Sequence, residues 1–119
     1  MKDLEHQEQK ALIKWARFQQ APVCWLYAIA NGGHRKKGVA GRMKAEGVLA
    51  GVPDLQLPVS RGGFHALYIE MKSPSGRTSP AQRQMIDNLR GQGFMVEIAR
   101  SWVEGREIIE TYMSLDDQR

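Results

Sequence analysis

The sequence predicts an α/β domain with a mixed β-sheet of about four strands, flanked by helices in the order helix, strand, helix, strand, strand, helix, strand, helix. Two observations predict this fold class. Segments with apolar side chains at helical spacing alternate with short runs rich in β-forming residues, and turn or capping residues separate them. The chain also has the length of one domain, residues 1–119, with 42% hydrophobic residues to build its core.

The first half of the chain contains two predicted helices and one predicted strand. Apolar residues at helical spacing indicate a helix from Asp3 to about Gln19. The run Val23–Ala30 is rich in β-forming residues and stops at Asn31-Gly-Gly33, so we expect a strand that is buried on both faces. A basic loop follows, and then a short helix, Val39–Glu46, which Gly47 closes.

The middle of the chain predicts a β-hairpin. Two β-forming runs, Leu55–Val59 and Ala66–Lys72, bracket the turn residues Ser60-Arg-Gly-Gly63. Charged residues interrupt the hairpin near its open end, where a small protein would normally place Val or Ile.

The last part of the chain predicts a helix, a strand and a final helix. Ser79-Pro-Ala-Gln82 has the pattern of a capping box with proline at the first helical position, and the helix continues to about Arg90. Phe94–Ala99 follows as a strand. Ser101-Trp-Val-Glu104 is a second capping-box pattern, which begins a helix that ends at about Met113.

The charged residues of the hairpin are candidates for a metal site. Side chains alternate across a strand, so Glu70 and Lys72 face the same side. Asp54 lies directly opposite Glu70 if the connection has about three residues, and a connection of about two or four residues shifts the pairing by one. Carboxylates held this close would repel each other, and a hard divalent ion such as Mg²⁺ relieves that repulsion.

The same residues have two interpretations. With a metal ion bound, Lys72 would lie beside the attacked phosphate, where it could orient a water nucleophile or stabilise the charge that accumulates on phosphorus. This combination suits phosphodiester hydrolysis. The alternative is a surface ion pair between Glu70 and Lys72, with Asp54 beginning a turn after Pro53.

Charge and composition favour a polyanionic partner. The formal net charge is +4, and the segment from Arg35 to Lys44 contains cations without an acidic residue. We expect four of them to contact DNA phosphates, with weak sequence specificity: Arg35, Lys36, Lys37 and Lys44. The alternative is a solvated basic surface. The sequence has no long apolar run, so we expect an intracellular protein without a membrane span. It has a single cysteine, so we expect neither an intramolecular disulfide nor a zinc site.

The hairpin motif resembles the signature of a nuclease superfamily. Pro53-Asp54, followed sixteen residues later by Glu70-Met71-Lys72, resembles the PD-(D/E)xK signature. Across nearly the whole chain, the sequence resembles the small VRR-NUC domain at these positions, in order: Glu5 with Gln9, Trp15, Ala30-Asn31-Gly32, Lys44-Ala-Glu-Gly47, Gly51-Val-Pro-Asp-Leu55, Leu67-Tyr-Ile-Glu-Met-Lys72, Gly76, Ser79-Pro-Ala-Gln82 and Leu89-Arg-Gly91.

The resemblance implies a restriction-endonuclease-like core, dependence on Mg²⁺ or Mn²⁺, and cleavage of structured DNA. Stand-alone members of bacteriophages and bacteria are similar to Holliday junction resolvases and act as homodimers, which implies a homodimer in the cytoplasm of a bacterium or of a phage-infected host. The alternatives are a nuclease that acts on flaps, nicks or ends, and a non-catalytic DNA-binding module with the same fold.

The resemblance also implies roles for individual residues. Asp54, Glu70 and the Met71 carbonyl are implied metal ligands, and Lys72 is the implied catalytic lysine. Glu5 resembles an additional acidic residue near the metal, although Glu8 lies only about 60° away around the helix. Gln82 resembles a glutamine that supports the catalytic site, and its alternative role is to close the Ser79 capping box.

Overall fold

A computed structural model describes residues 2–30 and 37–117 of the chain. In these ranges the helices and strands follow one another in the order that the sequence predicts. Their bounds are α1 Lys2–Arg17, β1 Tyr27–Ala28, α2 Lys37–Ala45, β2 Leu55–Leu57, β3 Leu67–Met71, α3 Pro80–Gly91, β4 Met95–Ala99 and α4 Trp102–Met113. A short 3₁₀ turn, Val23–Trp25, precedes β1.

The strands form a mixed sheet in the order β1-β2-β3-β4. The β1–β2 and β2–β3 pairs are antiparallel, whereas β3 and β4 are parallel. Parallel neighbours need a crossover connection, and α3 supplies it between β3 and β4. The prediction of a mixed four-stranded sheet flanked by helices is therefore confirmed.

The core lies on one face of the sheet, under α1 and α4. The inward side chains of the hairpin are fully buried there, together with Leu12 of α1 and Ile109 of α4. Gly105 of α4 packs against Leu12 so closely that a Cβ atom would lie 2.6 Å from its Cδ2 atom. This close contact positions α1, which carries Glu5, against α4.

The strand β1 differs from the sequence prediction. Only Tyr27–Ala28 of the expected Val23–Ala30 run is a strand, and both residues are exposed at the edge of the sheet. The residues before it form the 3₁₀ turn, which leaves Trp25 55% exposed. The prediction of a strand buried on both faces was wrong because a high content of β-forming residues does not distinguish a central strand from an edge strand.

The hairpin register places Asp54 opposite Glu70. Leu55 pairs with Ile69, and extending this pairing by one residue aligns the two acidic residues. The tip of the hairpin is a two-residue turn between Arg61 and Phe64, which alone would shift the pairing by one. Residues 58–60 on one strand face residues 65–66 on the other, so one extra residue restores the register.

Both capping serines begin their helices, although only one capping box is complete. Ser79 accepts a hydrogen bond from the Gln82 amide, and the Gln82 side chain accepts one from the Ser79 amide. Ser101 accepts a hydrogen bond from the Glu104 amide, but the Glu104 carboxylate accepts from the backbone N–H of Arg100 instead of Ser101. The second capping box is therefore only half formed.

Candidate active site

The predicted site residues converge at one end of the sheet. Leu67, Ile69 and Met71 face the core, so Glu70 and Lys72 project from the opposite face. The helix α3 lies on that face, because the Gln82 side chain there reaches Glu70.

The Glu70 carboxylate is held in a buried position by two donors. It is only 4% exposed, and its Oε2 atom accepts a hydrogen bond from Gln82 Nε2 at 2.9 Å. The Lys72 Nζ atom lies 3.4 Å from the same oxygen. Gln82 therefore makes both contacts at once, since its carbonyl oxygen closes the capping box and its amide nitrogen donates to Glu70.

Asp54 joins the group from the end of β2. Its Oδ2 atom accepts a hydrogen bond from the Met71 amide at 2.8 Å. The amide and the carbonyl of a strand residue point toward the same neighbouring strand, so the Met71 carbonyl also faces Asp54. Two carboxyl groups and one backbone carbonyl thus meet at this edge.

Burial raises the pKa of both carboxyl groups of the acidic pair. Burial, followed by the charge of Asp54, raises the pKa of Glu70 from 4.5 to about 8, against the opposing effect of Lys72. Burial also raises the pKa of Asp54, although the Met71 hydrogen bond and Lys72 lower it and Glu5 raises it further. The ion pair with Lys72 does not compensate for burial, so Glu70 is largely protonated at neutral pH until another cation arrives.

The donor set fits a hard divalent cation. Carboxylate and carbonyl oxygens are the ligands of Mg²⁺ and Mn²⁺, and a bound cation would offset the cost of burying two charged carboxylates, which raises both pKa values. Within the described parts of the chain, no group of three or more His, Cys, Asp or Glu side chains is arranged to hold a metal ion. Asp54 and Glu70 are thus a pair of the kind that leaves several coordination positions for water and phosphate.

A cleft of about 1140 Å³ opens above the pair. One wall comes from α1 and α2, and another from the loop Gly47–Val52 and the first turn of α3. Glu5 and Lys44 line this cleft with Asp54, Glu70 and Lys72. A strand of nucleic acid could therefore reach the carboxyl pair from solvent.

The structure separates Glu5 and Glu8 of α1. Glu5 lines the cleft and its charge acts on Asp54. Glu8 instead accepts a hydrogen bond from the Trp102 amide at 2.8 Å, at the N-terminus of α4. Glu8 thus stabilises a helix end, where a carboxylate is favourable.

Of the four basic residues predicted to contact DNA, the structure describes the side chain of Lys44. Lys44 is exposed on α2 and lines the cleft. Lys37 begins α2, but its side chain lies outside the described residues, as do Arg35 and Lys36. The sequence analysis did not find His6 and Arg77, which also line the cleft. The position of Arg77 in the sequence is a usable signal, because its loop joins Lys72 to the N-cap of α3 and both ends of that loop lie at the site.

Comparisons with known proteins show the family of this chain. The model of the VRR-NUC domain family matches residues 3–102.

The chain belongs to the VRR-NUC family.

A solved VRR_NUC domain protein superposes with a TM-score of 0.82, at 26% sequence identity, over 96% of this chain and 91% of that one. The VRR-NUC fold is therefore shared over almost the full length of both chains. Fanconi-associated nuclease 1 of Danio rerio is 32% identical over 97 residues, which are 80% of this chain and 10% of that protein. This chain thus spans about a tenth of the length of that curated relative.

Proposed function

We propose that this VRR-NUC domain is a divalent-metal-dependent DNA endonuclease that hydrolyses phosphodiester bonds, with selectivity for branched DNA such as a four-way junction. The observation that carries the proposal is the pairing of half-buried Asp54 with buried Glu70 at the floor of an open cleft, with the Lys72 Nζ atom 3.4 Å from Glu70 Oε2. The similarity to a protein named as a nuclease supports it.

In this proposal, Asp54, Glu70 and the Met71 carbonyl hold Mg²⁺ or Mn²⁺, and Glu5 is the additional acidic residue on the cleft wall. An ion held by these groups would supply Lewis acidity, which lowers the pKa of a nearby water and offsets phosphate charge. Water attacks the phosphorus, and the bond to the leaving oxygen breaks to give a phosphate monoester and a hydroxyl group.

The protein side chains have distinct tasks in this reaction. The Lys72 ammonium group donates hydrogen bonds to the phosphate oxygens and stabilises their developing negative charge. Gln82 keeps the Glu70 carboxylate in one orientation. Lys44 and the basic segment Arg35–Lys37 bind neighbouring phosphates, which contributes affinity without sequence readout.

Cleavage of a DNA panel tests this proposal. The wild-type protein should cut a labelled four-way junction when Mg²⁺ or Mn²⁺ is added, whereas Asp54→Ala and Lys72→Ala should lose cutting by about 10³-fold or more while remaining folded. Asp87→Asn, an exposed carboxylate on α3, is the control for Asp54 and should cut normally. Undiminished cleavage by Asp54→Ala would refute the proposal.

The same panel separates the alternatives. Preferential cutting of flaps, nicks or linear ends would replace the junction assignment with one of these substrates. DNA binding that depends on salt, without cutting under any metal condition, would indicate a non-catalytic binding module.

A homodimer is part of the proposal for junction cutting. One VRR-NUC domain provides one carboxyl pair, and coordinated cutting of both strands of a symmetric junction requires two, which a two-fold dimer supplies. Analytical ultracentrifugation of Asp54→Ala bound to a four-way junction should find two protein chains per junction. A single chain per junction would favour single-strand nicking instead.

A further inference from the structure

The loop between Lys72 and α3 has both ends at the candidate site. At its start, the Lys72 amide donates to the Ala99 carbonyl at 2.9 Å, which continues the pairing of β3 with β4. At its end, Ser79 caps α3 and is bonded to Gln82. The loop backbone is therefore anchored at both ends beside the carboxyl pair.

Arg100, directly after β4, holds the backbone of this loop. The Nη1 atom of Arg100 lies 2.9 Å from the Ser73 carbonyl oxygen, 2.7 Å from that of Gly76 and 3.4 Å from that of Pro74. The Ser73 carbonyl also accepts from the Gly76 amide at 3.0 Å. The first half of the loop is thus fixed by one guanidinium group that does not line the cleft.

The second half of the loop is fixed in the same way. Arg83 of α3 donates to the Thr78 carbonyl at 2.6 Å. Arg77 lies between the two fixed parts, is exposed and lines the cleft. In the described part of the chain, Arg77 forms no ion pair and no side-chain hydrogen bond.

We infer that Arg77 binds a DNA phosphate that neighbours the attacked one, and that Arg100 is the positioning residue that holds the Arg77 loop. This inference rests on the proposed function. A guanidinium group binds phosphate through two parallel hydrogen bonds, and a fixed loop reduces the entropy lost when the contact forms. An exposed lysine such as Lys44 cannot form the two parallel hydrogen bonds.

Salt-dependent DNA binding tests the role of Arg77. Fluorescence anisotropy of a labelled duplex and a labelled four-way junction is measured in EDTA, so that the result is independent of the metal site. Arg77→Gln should weaken binding by about tenfold. The slope of the logarithm of the association constant against the logarithm of salt concentration should become less steep by about 1. Lys14→Gln removes an equal charge from an exposed position outside the cleft and should change neither value appreciably.

A charge-conserving variant separates the guanidinium group from its charge. Arg77→Lys should keep the salt slope of the wild-type protein but bind less tightly than it does, because an ammonium group cannot form the two parallel bonds. The role of Arg77 is overturned if Arg77→Gln binds like Lys14→Gln.

A double-mutant cycle tests the role of Arg100. If Arg100 acts through Arg77, Arg100→Met should weaken binding several-fold in the wild-type protein but hardly at all in Arg77→Gln. Arg100→Lys, which keeps donors for the carbonyls, should restore part of the loss. Equal weakening in both backgrounds would overturn the positioning role. If Arg100→Met does not fold, Arg100→Gln in the two backgrounds provides the same comparison.

The outcome for Arg77 is distinguishable from the outcome for the proposed function. A wild-type protein that never cuts DNA with metal, yet loses affinity and salt slope in Arg77→Gln, would refute the nuclease proposal and support the phosphate contact. A wild-type protein that cuts, with an Arg77→Gln variant that binds and cuts equally well, would refute only the phosphate contact.

Discussion

Ionisation of the buried Glu70 carboxyl group should destabilise the metal-free protein as the pH rises. Burial and the neighbouring Asp54 raise the pKa of Glu70 from 4.5 to about 8 in the folded state. Because the folded pKa is above the unfolded one, the stability that depends on this proton is fully present below about pH 4.5 and is lost as the pH rises through about 8.

The size of this effect follows from the same two pKa values. Each pKa unit corresponds to about 1.36 kcal/mol. Between about pH 5 and about pH 8, the free energy of unfolding of the wild-type protein should therefore fall by about 3 kcal/mol relative to a variant that does not titrate at position 70. This is a large fraction of the total stability of a small domain.

Urea unfolding in EDTA measures the difference. The reference is Glu70→Gln, which keeps the size of the side chain, and the control is Glu97→Gln, at an exposed position on β4. Saturating Mg²⁺ should remove the decline in the wild-type protein, because a bound cation offsets the repulsion from Asp54. If the difference in free energy of unfolding between wild type and Glu70→Gln stays constant over this pH range, Glu70 does not titrate as described.

Three further substitutions test contacts around the site. Gln82→Leu removes the hydrogen bond that orients Glu70, so single-turnover cleavage should slow by roughly 10- to 100-fold, and an unchanged rate would contradict the orienting role. Tyr112→Phe leaves a buried hairpin carbonyl without its 2.6 Å hydrogen bond; thermal or urea unfolding should report a loss of about 1–3 kcal/mol with no change in cleavage rate. Gly51→Ala places a Cβ atom 2.6 Å from a carbonyl oxygen of the first turn of α3, at a φ of +89°, and should destabilise the protein by more than about 2 kcal/mol. Gly47→Ala is its control, because Gly47 has a φ of +107° but open space around the Cβ position. If both variants lose the same free energy of unfolding, the contact with α3 is not the cause of the loss.

The local signals in the sequence predicted much of this structure. Turn residues, β-forming runs and capping serines depend on neighbours in the chain, so they predicted the order of elements and the position of α3. The alternation of side chains along β3 also placed Glu70 and Lys72 on one face before any tertiary contact was known.

The errors occurred where a residue's environment depends on distant parts of the chain. The run Val23–Ala30 looks like a central strand because its composition is apolar, but its position at the sheet edge depends on which strands pair beside it. Glu5 and Glu8 are close on α1, and only the packing of α4 shows that Glu8 meets the Trp102 amide while Glu5 lines the cleft.

The sequence by itself determined the order of helices and strands, the shared face of Glu70 and Lys72, and the presence of a second carboxyl group near the start of the hairpin. The tertiary structure decided that Asp54 faces Glu70, because one extra residue in the hairpin compensates for its two-residue turn. It also decided that Arg77 borders the cleft, since Arg100 holds the intervening loop through contacts that no local pattern encodes. Register and loop position depend on long-range hydrogen bonds and packing, whereas element type depends largely on local sequence.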